Sequence, residues 1–169
     1  MGRFSIVVML FVAMISTDCR DKNTGERDNP ADGTALDFWI ELVDGPTFNA
    51  SNYFGSVVLI NFWDTWCGPC QDEQPDLNRL YNDYRDDGLQ IIGVSFARSG
   101  VPAVATYLEE YEVPYTSGII GPSVTGVLGT PAVIPYTFII DRNGEIAHEV
   151  SGDADYEEFV SLIEPLLSD

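Results

Sequence analysis

The sequence predicts an α/β domain with a central mixed β-sheet flanked by helices. Ser56-Val57-Val58-Leu59-Ile60-Asn61-Phe62-Trp63 is an almost unbroken apolar, β-branched and aromatic run, the pattern of a strand covered on both faces. Residues 89–96 repeat that pattern, and apolar residues recur at helical spacing after each run, so strands and helices alternate as parallel crossovers require. Near the C-terminus, residues 136–141 and 145–150 flank the turn Asp141-Arg142-Asn143-Gly144, a hairpin signal that adds antiparallel strands.

The size fits one domain: 169 residues, of which 45% are hydrophobic and 12% aromatic, enough for a core. Charge is the unusual feature. Twenty-seven acidic residues stand against eight basic ones, for a net −19, and Lys22 is the sole lysine. Nucleic acid is excluded as a partner, because phosphate contacts need clustered Lys and Arg. A disordered acidic chain is excluded as well, since the aromatic and branched residues recur at regular spacings. Residues 1–35 carry a net −1 and residues 36–169 a net −18, so the acidity belongs to the folded part. Two explanations stand for it: a surface adapted to high salt, or a solvated acidic surface that favours solubility.

The elements follow in order. Arg3 precedes an apolar run from Phe4 to Ile15, 12 residues long and too short for an untilted membrane span, so residues 1–19 are expected to be an export segment. Its end, Ser16-Thr17-Asp18-Cys19, resembles the lipid-attachment box of bacterial lipoproteins, with Cys19 as the acceptor; Asp18 departs from the small residue usual there. An uncleaved short anchor and a plain secreted form are the alternatives. Residues 20–35 lack large apolar side chains and are expected to form a tether. From residue 36, Phe38, Ile40 and Leu42 alternate with Trp39 and Glu41 before the Asp44-Gly45 turn, giving an N-terminal strand or hairpin extension. Leu77, Leu80, Tyr81 and Tyr84 mark a helix ending near Asp87-Gly88, and Val104, Tyr107, Leu108 and Tyr111 mark a second. The Gly- and Pro-punctuated stretch 113–135 is expected to hold a short helix near 122–128, part of an inserted strand-helix unit. A last helix is signalled by Asp155 and Glu158 at capping spacing, with Phe159, Leu162, Ile163 and Leu166 as its buried stripe.

Trp66-Cys67-Gly68-Pro69-Cys70 lies where the central strand gives way to a helix. Two intervening residues at a helix start let the sulfurs reach bonding distance, and free N–H groups with the helix dipole favour a thiolate at Cys67. Cys67 is therefore the expected attacking thiol, and Cys70, deeper in the helix, the resolving one. A zinc site would need two further ligands, and only His148 and the distant Cys19 remain, so no metal is expected. An inert structural disulfide is the other alternative. His148, on a predicted edge strand, reads as a surface residue, and Asn49-Ala50-Ser51 as a chance glycosylation match.

Residues 36–169 resemble the extracytoplasmic, membrane-anchored thioredoxin-like proteins of the TlpA/ResA family. The likeness rests on the stretch from Val57 to Cys70, on Glu73 and Pro75, and on Ile134-Pro135-Tyr136-Thr137-Phe138-Ile139-Ile140-Asp141 with Gly144. It implies a thioredoxin-like fold with Pro135 as the cis-proline facing the disulfide, turning the Ile134 backbone toward an extended substrate strand. Pro131 is the weaker alternative. Trp66, Gly68, Pro69 and Ile134 are then the docking residues around the thiol; Trp63 is a further candidate that reads first as core. Cytosolic thioredoxins carry a buried Asp where this chain has Asn61, which cannot titrate. Glu73 matches an acidic residue of the ResA-like proteins and is a candidate for managing the Cys70 proton; a solvated helix carboxylate is its alternative. Asp64 replaces the small residue usual between the paired tryptophans, and its side chain could face the site or the solvent.

The resemblance implies a thiol-disulfide oxidoreductase that reduces protein disulfides outside the cytoplasm with no cofactor beyond the Cys67/Cys70 pair. Apocytochrome c, during cytochrome c maturation, is the implied substrate, and a membrane thiol-disulfide carrier the implied electron donor. A dithiol oxidase or isomerase shares every motif, and a lipid-tethered peptide-binding module with a structural disulfide is the third possibility.

Overall fold

A computed structural model describes residues 33–168. The export segment, Cys19 and residues 20–32 of the tether lie outside the described residues. The bonded fold reaches back to residue 33: the Gly33 N–H donates to Asp37 Oδ2 (3.0 Å), the Ala35 N–H donates to the Gly144 carbonyl (2.9 Å), and Leu36 is fully buried.

Seven strands form one sheet in the order β2-β1-β5-β4-β3-β6-β7. At its centre, β3 (Val57–Trp63) is buried along its whole length, as its apolar run predicts. It pairs in parallel with β4 (Leu89–Ser95) and antiparallel with β6 (Tyr136–Ile140). β4 pairs in parallel with β5 (Thr116–Ile119), and β7 (Ile146–Ser151) closes one side against β6 with His148 exposed. The N-terminal hairpin, β1 (Trp39–Leu42) and β2 (Thr47–Asn49), extends the opposite side through β1 and β5. The bounds of β5 are not legible in the sequence, because its four residues, Thr-Ser-Gly-Ile, show neither an apolar run nor alternation.

α1 (Gly68–Tyr84) and α4 (Tyr156–Leu167) cover one sheet face: Leu77, Leu80, Phe159 and Ile163 pack on Val57, Leu59, Ile91 and Ile139. Asp155 caps α4 by accepting the Glu158 N–H (2.9 Å), as the spacing predicts. α3 (Pro122–Leu128) lies on the other face, where Val124 joins Phe38, Ile40, Val58, Ile60 and Phe62. α2 (Val101–Glu110) brings Val104 and Tyr107 against Trp63 and the two cysteines. Three connections meet around these cysteines: the β3–α1 turn, the β4–α2 loop and the segment entering β6. Binding sites of parallel α/β sheets collect at such carboxyl ends of strands.

Candidate redox site

Cys67 is the N-cap of α1, and its Sγ accepts the Cys70 N–H at 3.2 Å. Gly68 and Pro69 fill the first helical positions, where a missing proline N–H costs nothing. The Cys67 N–H is itself held by the Asp64 carbonyl (3.1 Å). Cys67 and Cys70 form a disulfide with their Cα atoms 5.3 Å apart. Once that bond is reduced, the donated N–H and the helix start both favour negative charge on Cys67. Both cysteines are buried, and only Cys67 lines the neighbouring groove. The Ile134-Pro135 peptide bond is cis, and the Ile134 carbonyl oxygen lies 3.7 Å from the Cys67 Sγ. Pro135 is buried at the start of β6, while Pro131 lines the groove farther out.

Glu73 sits one turn beyond Cys70 and is only 3% exposed, which overturns the solvated-carboxylate alternative. It is drawn inward because hydrogen-bond donors on two other segments meet it. Its Oε1 accepts the Ala154 N–H (3.2 Å), and its Oε2 accepts the Asn61 amide from β3 (3.1 Å). Asn61 gives its second amide hydrogen to Thr137 Oγ1 on β6 (2.9 Å). Burial pushes the Glu73 carboxyl up to about 7, against the pull of the Ala154 and Asn61 hydrogen bonds and with a further push from Asp153 and Asp76. A carboxyl with that value can be protonated or ionised near neutral pH.

Asp64 faces inward. Fully buried, it accepts three N–H groups: Thr65 on Oδ1 (2.8 Å), and Trp66 Nε1 (2.9 Å) and the Arg98 backbone (3.1 Å) on Oδ2. Trp63 is core, 3% exposed and packed on Tyr107, whereas Trp66 is 52% exposed at the rim. The groove beside Cys67 has a volume of about 400 Å³ and takes Trp66, Gly68, Pro69 and Ile134 into its lining, with Phe96, Arg98 and Val133 among the added residues. Among the described residues no cluster of His, Cys, Asp and Glu could hold a metal ion.

Residues 32–149 match the model of the AhpC/TSA family. The chain belongs to this family. Along 166 residues it is 30% identical to the thiol-disulfide oxidoreductase ResA of Geobacillus kaustophilus, covering 97% of this chain and 94% of that protein. With ResA of Bacillus cereus it shares 28% identity over 134 residues, 78% of this chain and 76% of the relative. A solved thiol:disulfide interchange protein of Chlorobium tepidum, 24% identical, has the same fold, with a TM-score of 0.73 across 79% of this chain and 95% of that one. This AhpC/TSA-family chain is thus a TlpA/ResA-like thiol-disulfide oxidoreductase, a redox enzyme with a thioredoxin-like fold.

Spacing located Cys67 and Cys70, and the resemblance located Glu73, Ile134 and Pro135. Ala154, Thr137 and Arg98 were missed. Each reaches the site through tertiary contacts, 81 residues from Glu73, 76 from Asn61 and 34 from Asp64, and no local pattern marks them.

Proposed function

We propose that this enzyme reduces disulfides of protein substrates outside the cytoplasm. Cys67, as thiolate, attacks a substrate disulfide, forming a mixed disulfide and expelling one substrate sulfur. Glu73 takes the proton from Cys70, whose thiolate attacks the Cys67 sulfur. The second substrate sulfur leaves, and the enzyme is left oxidised by two electrons. The supporting observation is the buried Glu73 carboxyl, poised near neutrality one turn from the inner cysteine. Negative charge from Asp64, and from Glu73 above about pH 7, disfavours thiolates in the reduced form, which favours donating electrons over accepting them. In this scheme the cis-Pro135 segment offers the Ile134 carbonyl to an extended substrate strand, and Trp66, Gly68 and Pro69 form the opposite wall.

By the ResA likeness, apocytochrome c with oxidised haem-attachment cysteines is the proposed substrate, and a membrane thiol-disulfide carrier the electron donor. Residues 1–19, as an export segment with Cys19 as lipid acceptor, would hold the enzyme at the membrane. No helix among the described residues is long and apolar enough to cross one. The N–H donated to Cys67 is the observation that favours the alternative, a dithiol oxidase, since thiolate stabilisation makes a dithiol more oxidising.

Trapping tests the scheme. Reduced C70S should accumulate a mixed disulfide through Cys67 with a disulfide-bonded protein, while the wild type releases reduced protein and C67S does neither. Absence of both trapping and reduction would leave a peptide-binding module with a structural disulfide.

A further inference from the structure

The lining of the groove beside Cys67 contains no carboxylate, although residues 36–169 carry a net −18. Its one charged residue is Arg98, at the β4–α2 loop. Among the described residues, every other arginine is engaged with oxygen. Arg79 meets Asp83 (3.6 Å), Arg85 meets Asp86 (3.9 Å), and Arg142 donates to the carbonyls of Gly55, Asp87 and Leu167. The Arg98 guanidinium has only ring faces beside it, 5.3 Å from the Trp66 centroid and 5.9 Å from that of Phe96. Five N–H donors are thus presented at the rim with no acceptor among the described residues.

Two features hold Arg98 there. Asp64 Oδ2 accepts both the Trp66 indole N–H and the Arg98 backbone N–H, which ties the two rims of the groove to one buried oxygen. Ala97 adopts φ +51°, a left-handed conformation unfavourable for a residue with a Cβ, at the turn that leads into Arg98.

We propose that the groove selects an extended substrate segment bearing a carboxylate side chain close to its disulfide cysteine, with Arg98 as the carboxylate's partner. Asp64 is a positioning residue for that recognition. The inference rests on Cys67 being the attacking sulfur. At physiological ionic strength the field of the acidic surface is screened beyond roughly 8 Å, so it does not cancel a contact made inside the groove. Apolar side chains of the same segment would lie on Trp66 and Val133, both about half exposed. A guanidinium matches a carboxylate with two parallel hydrogen bonds, a fit that neither an amide nor an ammonium side chain on the substrate reproduces.

The test uses disulfide-linked homodimers of a capped peptide, with Glu, Gln or Lys placed in turn at each position within three residues of the cysteine. The enzyme, reduced with dithiothreitol and desalted, is mixed with each dimer in 0.15 M NaCl, and released peptide thiol is followed. One enzyme disulfide and two peptide thiols should form per dimer consumed. At one position at least, the Glu dimer should react about two- to five-fold faster than the Gln dimer, the factor an exposed ion pair supplies, and the Lys dimer slower still. R98Q should bring the Glu and Gln rates together, and R98K should keep the order with a smaller ratio. Equal Glu and Gln rates at every position, or a preference that survives in R98Q, would overturn the inference while leaving disulfide reduction intact. Failure to reduce any dimer would overturn the inference and the reductase assignment together.

Discussion

Glu73 can trade a proton at neutral pH because it is sealed from solvent yet not stripped of partners. The Asn61 amide and the Ala154 N–H hold its two oxygens, and burial outweighs both to lift the carboxyl to about 7. Replacing it with glutamine removes the proton acceptor but keeps the shape. E73Q should resolve mixed disulfides at least about tenfold more slowly at pH 7, since an unassisted thiol with a pKa near 8.5 is only a few per cent ionised there. Stopped-flow release of reduced substrate across pH measures this, and an unchanged profile would remove Glu73 from the mechanism. Stability supplies an independent check. A carboxyl raised from 4.5 to about 7 binds its proton more tightly when folded, so native stability falls as pH rises through that window. E73Q lacks this slope. Urea unfolding at pH 4.5 and pH 8 should show the wild type losing, relative to E73Q, on the order of 3 kcal/mol, the free energy equivalent of the shift to about 7. The sequence spacing placed Glu73 one turn after Cys70 but left its burial open, because burial depends on Asn61, Thr137 and Ala154 arriving from other segments.

α1 joins the chemistry to the fold. Its first turn is built from the dithiol motif, and its buried side, Leu77 and Leu80, sits on the central strand. Apolar periodicity in the sequence emerged only after Pro75, yet the helix starts seven residues earlier, at Gly68, and accommodates Pro75 in its interior. The strands with strong patterns, β3, β4 and β6, were legible for the same reason that they fold: continuous apolar runs must be covered on both faces. β5 was not, since it is specified by its neighbours. It fits between β4 and β1 because Gly118 has no side chain: a Cβ there would fall 2.4 Å from the Glu41 carbonyl oxygen and 2.6 Å from Ile40. G118A should therefore cost about 1–3 kcal/mol in equilibrium unfolding, the usual penalty for overpacking. A neutral result would mean that β1 yields, and that the β1–β5 junction is looser than the register shown here.

Over the whole molecule, the acidity visible in the composition takes on a spatial meaning. Among the described residues only two ion pairs form, Arg79–Asp83 and Arg85–Asp86, both at the surface, so most of the negative charge is uncompensated. Added NaCl should raise Tm, by about 4 °C for each kcal/mol of relieved repulsion in a domain of this size. A flat response from 0.05 to 2 M would show that repulsion does not limit stability. The groove escapes this charge, and the buried carboxylates Asp64 and Glu73 lie behind it, beside the dithiol that the sheet presents at one end. If those carboxylates set the direction of electron flow, it should be readable in one number, the reduction potential of the Cys67/Cys70 couple, obtained by equilibrating the protein in thiol-disulfide buffers at pH 7. The expected value is near that of thioredoxin, about −270 mV, or below. A value approaching about −120 mV, that of a strong periplasmic oxidant, would contradict it.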